Sequence, residues 1–245
     1  MKTSIPVIQP IALEIDEDAD HLVADEYLLH ACDQGLIGPS LRLWQVRGPM
    51  VVLGYGNEPE KEAHLVACQQ RGIPMHRRSS GGGAVYLDVG CLNYSLVLPI
   101  DFHAALASVT TTNQWIMERQ RQILSSLLEG VVTCEGDTDL AWEGIKVSGN
   151  AQRRLRQACL FHGSILCQAS LEDMGQVLSH PSREPSYREG RPHAQFVRNT
   201  ELDPAELAEA LLQAWCGQPM VTTHHPIQTD LWWECQQRLK SRSVH

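Results

Sequence analysis

No stretch of the sequence reaches the roughly 18 uninterrupted apolar residues that a helix needs to cross a bilayer. The first residues, MKTSIPVIQPIALEIDEDAD, do not contain the sustained apolar core of a signal peptide either. The eight cysteines are scattered without a C-x-x-C pair, which is typical of reduced thiols and not of a disulfide framework or a zinc site. We therefore expect a cytoplasmic protein.

Basic residues are in the minority, because 20 Lys and Arg face 29 Asp and Glu, for a formal charge of −9. They form no long basic stripe, so binding to nucleic acid phosphates is not expected as the main function. The same acidity disfavours docking on an anionic membrane surface. The expected partners therefore include neither nucleic acid nor a membrane, and the adjacent cations Arg77 and Arg78 stand out against the acidic background.

Neither an internal repeat nor a low-complexity linker divides the 245 residues, and a hydrophobic fraction of 43% is sufficient for a substantial core. Alternating apolar runs predict short strands, with hairpin turns at 88–90 and 143–144. Helical spacing predicts helices over 20–35, 59–72, 103–128, 170–178, 203–215 and 229–242. We expect a single α+β domain over 1–245, with mixed and antiparallel β-sheets flanked by helices.

A glycine-rich segment, RRSSGGGAVYLDVG, occupies residues 77–90. Its spacing matches neither a nucleotide-binding P-loop nor a dinucleotide fingerprint, and a predicted hairpin follows it in place of a helix. Three consecutive residues without Cβ let a ligand lie against the main chain, while Arg77 and Arg78 can donate to a phosphate or carboxylate. The apolar strand faces that follow would supply a hydrophobic wall. The segment thus predicts a site for a ligand with an apolar tail and an anionic head, with a flexible, solvated loop as the alternative.

A second segment, 136–166, places a single lysine, Lys146, in a strand of apolar and small residues. Burying a lysine is costly unless it faces an anion, so Lys146 is a candidate for contact with a charged ligand. Ser148, Gly149 and Arg153 follow it closely. The alternative is a lysine that points outward into solvent.

Five motifs carry a family resemblance: VVLGYGN (51–57), RRSSGGGAVYLDVGCLN (77–93), TDL (138–140), GIKVSGNAQRR (144–154) and HGSIL (162–166). Together they resemble the lipoate–protein ligase family, within the larger group that also holds biotin ligases and octanoyltransferases. The resemblance extends over about 20–198, and the helices over about 203–242 would close the same domain. Thr138 stands where the family pattern has asparagine.

The resemblance implies a biotin/lipoate ligase-like catalytic domain with Lys146 as its catalytic residue. Lys146 would contact the carboxyl of lipoate and the phosphate of the acyl adenylate. Asp139, with Thr138 beside it, would lie near the nucleotide and contact its Mg²⁺. The other residues implied to bind lipoate or acyl-AMP are Arg78, Ser80, Gly81, Gly82, Gly83, Ala84, Ser148, Gly149, Arg153, His162 and Gly163.

The activity implied is that of an ATP-dependent lipoate–protein ligase, which converts lipoate or octanoate to an acyl-AMP and transfers the acyl group to a lysine of a lipoyl carrier protein. Long ligases of the family carry a C-terminal accessory domain, for which little chain follows residue 198. We therefore expect a ligase that works without that domain, or one whose small accessory chain is separate. Two alternatives stay open: an ATP-independent octanoyl or lipoyl transferase that forms a cysteine thioester, with Cys134 as the candidate, and a noncatalytic acyl-binding partner subunit.

Overall fold

The computed structural model describes residues 7–217 and 225–242, and the predicted domain limits of 1 and 245 lie outside them. Its strands are β1 (Gln9–Pro10), β2 (Ser40–Trp44), β3 (Met50–Leu53), β4 (Met75–Arg77), β5 (Val85–Leu87), β6 (Cys91–Pro99), β7 (Val132–Glu135), β8 (Asp139–Trp142), β9 (Ile145–Arg154) and β10 (Ala158–Leu166). Its α-helices are α1 (Asp20–Asp33), α2 (Pro59–Glu62), α3 (Leu65–Arg71), α4 (Val109–Leu127), α5 (Leu171–Val177), α6 (His193–Phe196), α7 (Pro204–Cys216) and α8 (Thr229–Ser241). The α+β class expected from the sequence is confirmed.

Two sheets organise the chain. The large sheet has the order β1-β2-β6-β10-β9-β8-β7, and its strand pairs are antiparallel except for β1 with β2. The small sheet has the order β4-β3-β5, in which β3 is parallel to β4 and antiparallel to β5. Both sheets are therefore mixed, as the sequence analysis predicts.

Helices cover both faces of the large sheet. Because successive side chains of a strand point to opposite faces, neighbouring residues enter different cores. Leu96 and Phe161 pack in the core that contains α4 and α7. Their neighbours Val97 and Leu160 pack in the core that contains α1 and α8. A third core joins the small sheet to α3, α5 and the ends of β2 and β10.

The predicted hairpin that would pair β5 with β6 is wrong. The turn itself forms, with the N–H of Cys91 donating to the carbonyl of Asp88 at 3.0 Å. However, β5 pairs with β3 in the small sheet, whereas β6 pairs with β2 and β10 in the large one. The carbonyl of Gly90 accepts from the N–H groups of Cys167 and Gln168. The chain after β10 therefore continues the pairing of β10 with β6 as far as the turn. Local alternation shows that a strand forms but does not show which distant strand pairs with it.

The single helix predicted over 59–72 is two short helices. Helix α2 ends at Glu62 because Ala63 is extended, with φ −141° and ψ 149°, and bridges to Leu178. Gly72 ends α3 in the left-handed conformation, with φ 65°, as its place in the sequence predicts. Across the described ranges, no helix combines the length and the apolar composition that crossing a bilayer requires.

The hairpin predicted at 143–144 is confirmed. Glu143 and Gly144 connect β8 to β9 with φ values of 52° and 75°. Positive φ at both turn residues matches the right-handed twist of the flanking strands. This turn places the start of β9, and with it Lys146, directly beside β8.

Candidate active site

A cavity of about 1040 Å³ lies where the two sheets meet. Its walls come from the glycine loop (79–84) and β5, from the large sheet, and from the segment 178–197, which we call the closing segment. The residues implicated by the sequence that line it are Arg78, Gly81, Gly82, Gly83, Ala84, Thr138, Asp139, Lys146, Ser148, Gly149, His162 and Gly163. The fold thus brings the two motif-bearing segments, which are distant in the chain, to one place.

Arg78 is buried and its guanidinium is directed into the glycine loop. Its Nε donates to Ser80 Oγ at 3.0 Å, and its Nη2 donates to the carbonyls of Gly81 and Gly83 at 2.6 and 2.8 Å. Nη1 donates to the carbonyl of Val52 at 3.2 Å. Burial lowers the pKa of Arg78 to about 10, so the group remains charged at neutral pH. Because these donors are directed at the protein's own oxygens, Arg78 holds the shape of the loop.

Gly82 adopts a left-handed conformation, with φ 92°. A Cβ added there would lie 2.9 Å from Arg78 Nη2, so a side chain would meet both backbone strain and the arginine. A Cβ at Gly81 or Gly83 would meet no atom within 4 Å. The loop therefore leaves open space against its main chain, which is what a ligand lying on the backbone needs.

Arg77 does not line the cavity. Its Nη1 donates to the carbonyls of Gly54 and Asn57 at 3.0 and 2.7 Å, and its Nε donates to the carbonyl of Arg242 at 3.3 Å. Of the two cations that the sequence offers for an anion, Arg77 thus fastens the loop that follows β3.

Lys146 lies inside the cavity with its side chain 26% exposed. Its Nζ is 2.7 Å from Asp139 Oδ1 on the neighbouring strand β8. The side chain passes directly over Gly149, where an added Cβ would lie 3.0 Å from Nζ. A lysine on this strand does face an anion, and Gly149 provides the space for it.

Asp139 is engaged through both carboxylate oxygens, because Oδ2 accepts from the Tyr187 hydroxyl at 2.8 Å. Burial, with the nearby Asp139 carboxylate, raises the pKa of Tyr187, so this hydroxyl stays a donor. Within the described part of the chain, no group of three or more His, Cys, Asp or Glu side chains could hold a metal ion. A Mg²⁺ that arrives with phosphates needs only one or two protein carboxylates, and at Asp139 it would share the carboxylate with Lys146 and Tyr187.

Ser80 and His162 form a buried relay with Asp25 of α1. His162 Nδ1 lies 2.7 Å from Asp25 Oδ2, and His162 Nε2 lies 2.6 Å from Ser80 Oγ. If the carboxylate accepts from Nδ1–H, Nε2 accepts from the Ser80 hydroxyl; this tautomer is inferred from the partners. Arg42 Nη1, 3.5 Å from Asp25 Oδ1, supplies the countercharge, and the Ser95 hydroxyl donates to the same oxygen.

The order Ser80, His162, Asp25 is that of a serine hydrolase triad, but the environment differs. Ser80 is fully buried, at 0% exposure, and does not line the cavity. A nucleophile must reach its substrate, so this arrangement acts as a support that ties α1 and β10 to the glycine loop.

Two residues implicated by the sequence have other partners. Arg153 is exposed and lies outside the cavity, with its Nη1 3.3 Å from the carbonyl of Ser79 and its guanidinium 5.7 Å from the Tyr55 ring centre. Thr138 lines the cavity, but its hydroxyl donates to the carbonyl of Asn150 at 2.6 Å. Asn150 Nδ2 returns a bond to the carbonyl of Thr138 at 2.8 Å, which fixes the start of β8 against β9.

Cys134 lies in a neighbouring cavity of about 690 Å³ and not in the one that contains Lys146. Partial desolvation and the nearby Glu118 carboxylate raise the pKa of the Cys134 thiol. Burial likewise raises the pKa of Cys159 and Cys167 to about 11. A raised thiol pKa disfavours the thiolate, which is the reactive form of cysteine.

Sequence reasoning missed Asp25, Tyr187, Arg188 and Phe196. Asp25 carries a signal, because it is a charged residue on a helix whose neighbours are almost all buried. The other three come from the closing segment, whose proline, arginine and serine content predicts only a loop.

The chain is similar to known proteins over most of its length. Residues 17–214 match the family model of the lipoyl protein ligase A/B catalytic domain. The octanoyltransferase LipM of Brevibacillus brevis is 27% identical over 226 residues, which cover 82% of this chain and 82% of LipM. A Schizosaccharomyces pombe relative is 28% identical over 173 residues, covering 71% of this chain; the match spans 46% of that relative, about half its length.

Solved structures share the fold. A Thermoplasma acidophilum protein with bound lipoic acid superposes with a TM-score of 0.74 at 21% identity, over 97% of this chain and 96% of that chain. Lipoate-protein ligase A bound with ATP gives 0.75 at 21% identity, over 96% and 95%. A bi-partite lipoate protein ligase, studied with its E2 lipoyl domain from the same archaeon, gives 0.73 at 20% identity, over 96% and 93%. The resemblance noted in the sequence is confirmed, and this chain belongs to the lipoyl protein ligase A/B catalytic domain family.

Proposed function

We propose that the protein is an ATP-dependent lipoate–protein ligase, which activates lipoate or octanoate as an acyl-AMP and transfers the acyl group to a lysine of a lipoyl carrier protein. The observation that carries the proposal is the meeting of Lys146 with the glycine loop in one cavity. Structural neighbours bind the two substrates, lipoic acid in one and ATP in another. A cytoplasmic location, and an accessory chain like that of the bi-partite archaeal ligase, belong to the same proposal.

The cavity offers different surroundings to the two ends of an acyl chain. Its apolar lining residues include Leu22, Trp44, Val52, Leu87, Leu166, Met174 and Leu178. Burying a methylene stabilises binding by about 0.8 kcal/mol, so a chain of several methylenes gains most of its affinity there. The carboxylate end is then left for the polar side of the cavity, where Lys146 lies.

In the first step, the acyl carboxylate oxygen attacks the α-phosphorus of ATP, an acyl–phosphate bond forms and pyrophosphate leaves. Negative charge develops on the α-phosphate oxygens, and the Lys146 ammonium stabilises it. Asp139 holds that ammonium in position at 2.7 Å. When bound with the phosphates beside Asp139, Mg²⁺ would supply further charge neutralisation.

In the second step, the neutral amine of the carrier lysine attacks the acyl carbon. The carbonyl oxygen becomes an oxyanion, the amide bond forms, AMP leaves, and the amine loses a proton. The open main chain at Gly81 and Gly83 lies beside the position we assign to the mixed anhydride. No protein nucleophile is needed, because the adenylate is already an activated acyl group.

Incubation of the protein with lipoate, MgATP and an unmodified lipoyl domain tests the proposal. We expect pyrophosphate release and a lipoylated lysine, both dependent on ATP. Carrier modification that is indifferent to ATP would refute it. Tight lipoate binding without adenylate formation, with carrier and accessory chains present, would instead indicate the noncatalytic acyl-binding subunit.

A cysteine-dependent octanoyltransferase is the second candidate, and the match to LipM over 82% of both chains favours it. Its nucleophile would be Cys134, which is exposed. Against this, the pKa of the Cys134 thiol is raised by desolvation and by Glu118, and the thiol lies outside the cavity of Lys146. The ligase is therefore the better-supported function.

A further inference from the structure

The closing segment contributes a buried arginine to the cavity. Arg188 is only 3% exposed and lines the same cavity as Lys146. The other arginine that this segment contributes to the lining, Arg183, is exposed. A charged side chain is rarely buried this deeply unless an anion pairs with it.

The protein itself satisfies Arg188 incompletely. Its Nε donates to the carbonyl of Arg191 at 2.9 Å, and the nearest paired carboxylate oxygen, of Glu184, lies 3.9 Å away. Its Nη2 is buried and has no hydrogen-bond partner among the residues that the structure describes. A buried donor without an acceptor costs free energy, and a ligand oxygen at this position would remove that cost.

Three cations surround the ring of Phe196. Arg188 Cζ lies 4.6 Å from the ring centre, Arg191 Cζ 5.4 Å and Lys146 Nζ 6.0 Å. Arg188 and Lys146 line the cavity, whereas Arg191 does not. Two cavity-lining cations thus lie within 6.0 Å of one ring centre, an arrangement that fits a ligand with more than one negative charge.

We propose that Arg188 binds the terminal phosphates of the nucleotide and the pyrophosphate that they become, while Lys146 faces the α-phosphate. This inference rests on the proposed ligase function. The planar guanidinium can donate two parallel hydrogen bonds to one phosphate, which a lysine cannot do. Arg188 would therefore distinguish ATP from AMP and hold the leaving group.

Calorimetric titration of the full chain with inorganic pyrophosphate, ATP, AMP and lipoate tests the assignment. In Arg188→Met, we expect pyrophosphate and ATP to bind about 10-fold or more weakly, since a charged hydrogen bond is lost. The affinities for AMP and lipoate should stay within about twofold of wild type, because neither ligand reaches Arg188.

Arg191→Met is the matched control. Arg191 also lies on Phe196 and holds the segment, through bonds from its Nε and Nη2 to the carbonyls of Arg188 and Tyr187. We expect it to retain pyrophosphate affinity. An equal loss in both variants, or a loss that extends to AMP and lipoate, would show that Arg188 only shapes the segment and would overturn the proposal.

Two further arms keep the outcome decisive. If Arg188→Met does not fold, Arg188→Lys retains the charge without the fork, and unchanged pyrophosphate binding there would overturn the proposal. A wild-type chain that binds neither ATP nor pyrophosphate would overturn the ligase function itself. Wild-type pyrophosphate binding that Arg188→Met leaves intact overturns only this inference.

Discussion

Lys146 Nζ and Asp139 Oδ1 lie 2.7 Å apart on neighbouring strands, at the wall of the cavity between the two sheets. Both residues line the same cavity as Gly81, Gly82 and Gly83. Both side chains are partly exposed to solvent. A ligand phosphate can therefore contact the Lys146–Asp139 pair without entering a part of the protein from which water is excluded.

Lys146→Ala should raise the activation free energy of acyl-AMP formation by several kcal/mol and so slow this step about 100-fold or more. The reason is that the negative charge developing on the phosphate loses its counterion. Single-turnover formation of acyl-AMP measures the effect, and circular dichroism checks that the fold is intact. Lys61→Ala is the control, since Lys61 is 61% exposed, pairs with Glu58 and does not line the cavity. Near-normal turnover in Lys146→Ala would contradict its role.

Gly149→Ala should lower turnover while lipoate affinity changes little. The new Cβ would lie 3.0 Å from Lys146 Nζ and 3.1 Å from its Cε, so the lysine must shift by a few tenths of an ångström from its position beside Asp139. Gly175→Ala is matched to it, because a Cβ there meets no atom within 4 Å. Equal turnover of the two variants, measured by pyrophosphate release, would show that the position of Lys146 is not critical.

Ser80→Ala should destabilise the protein by about 1–3 kcal/mol, because His162 Nε2 and Arg78 Nε lose their shared partner inside the protein. Urea denaturation measures this, with the exposed Ser126→Ala expected within about 0.5 kcal/mol of wild type. Mass spectrometry of wild-type turnover mixtures should find no acyl group on Ser80. An acyl–Ser80 adduct would mean that the relay is a nucleophilic triad after all.

Cys134→Ser should leave ATP-dependent lipoylation within about twofold of wild type, because the thiol lies outside the cavity of Lys146 and its pKa is raised. Cys159→Ser, on the central strand β10, controls for replacement of a thiol in the large sheet. Complete loss of carrier modification in Cys134→Ser, with its fold intact, would favour the thioester transferase.

Stability should fall as the pH drops from 6.5 toward 4. Burial, with the adjacent Arg42 guanidinium, lowers the pKa of His21 from 6.5 to about 4. In that interval the unfolded chain binds a proton on His21 that the folded chain does not, so the free energy of unfolding decreases. Urea titrations at several pH values should show a smaller decrease for His21→Gln. An identical decrease would assign the effect to other groups, such as His193, whose pKa burial also lowers to about 4.

The parts of the site that the sequence predicts are those whose chemistry is local. A lysine among small residues on a strand predicts a nearby anion. Consecutive glycines, which have no Cβ, predict a main chain that a ligand can approach. Both expectations agree with the surroundings of Lys146 and Gly82. Helices with a clear N-cap and apolar periodicity are also predicted from local sequence; α7, whose N-cap is Asp203, is an example.

The parts that fail depend on partners far away in the chain. The alternation before and after Gly90 is real, but its strands pair in different sheets. Asp25 and Arg188 reach the site from α1 and from a proline-rich loop, and no spacing rule connects those segments to Lys146.

The separation of β5 from β6 has a consequence for how the enzyme would respond to its ligands. The glycine loop is carried by the small sheet, and Lys146 is carried by the large one. A molecule that touches both adds a further link between the two sheets beside the Ser80–His162 hydrogen bond, so its occupancy should slow amide hydrogen exchange in β4 and β5 as well as at the point of contact.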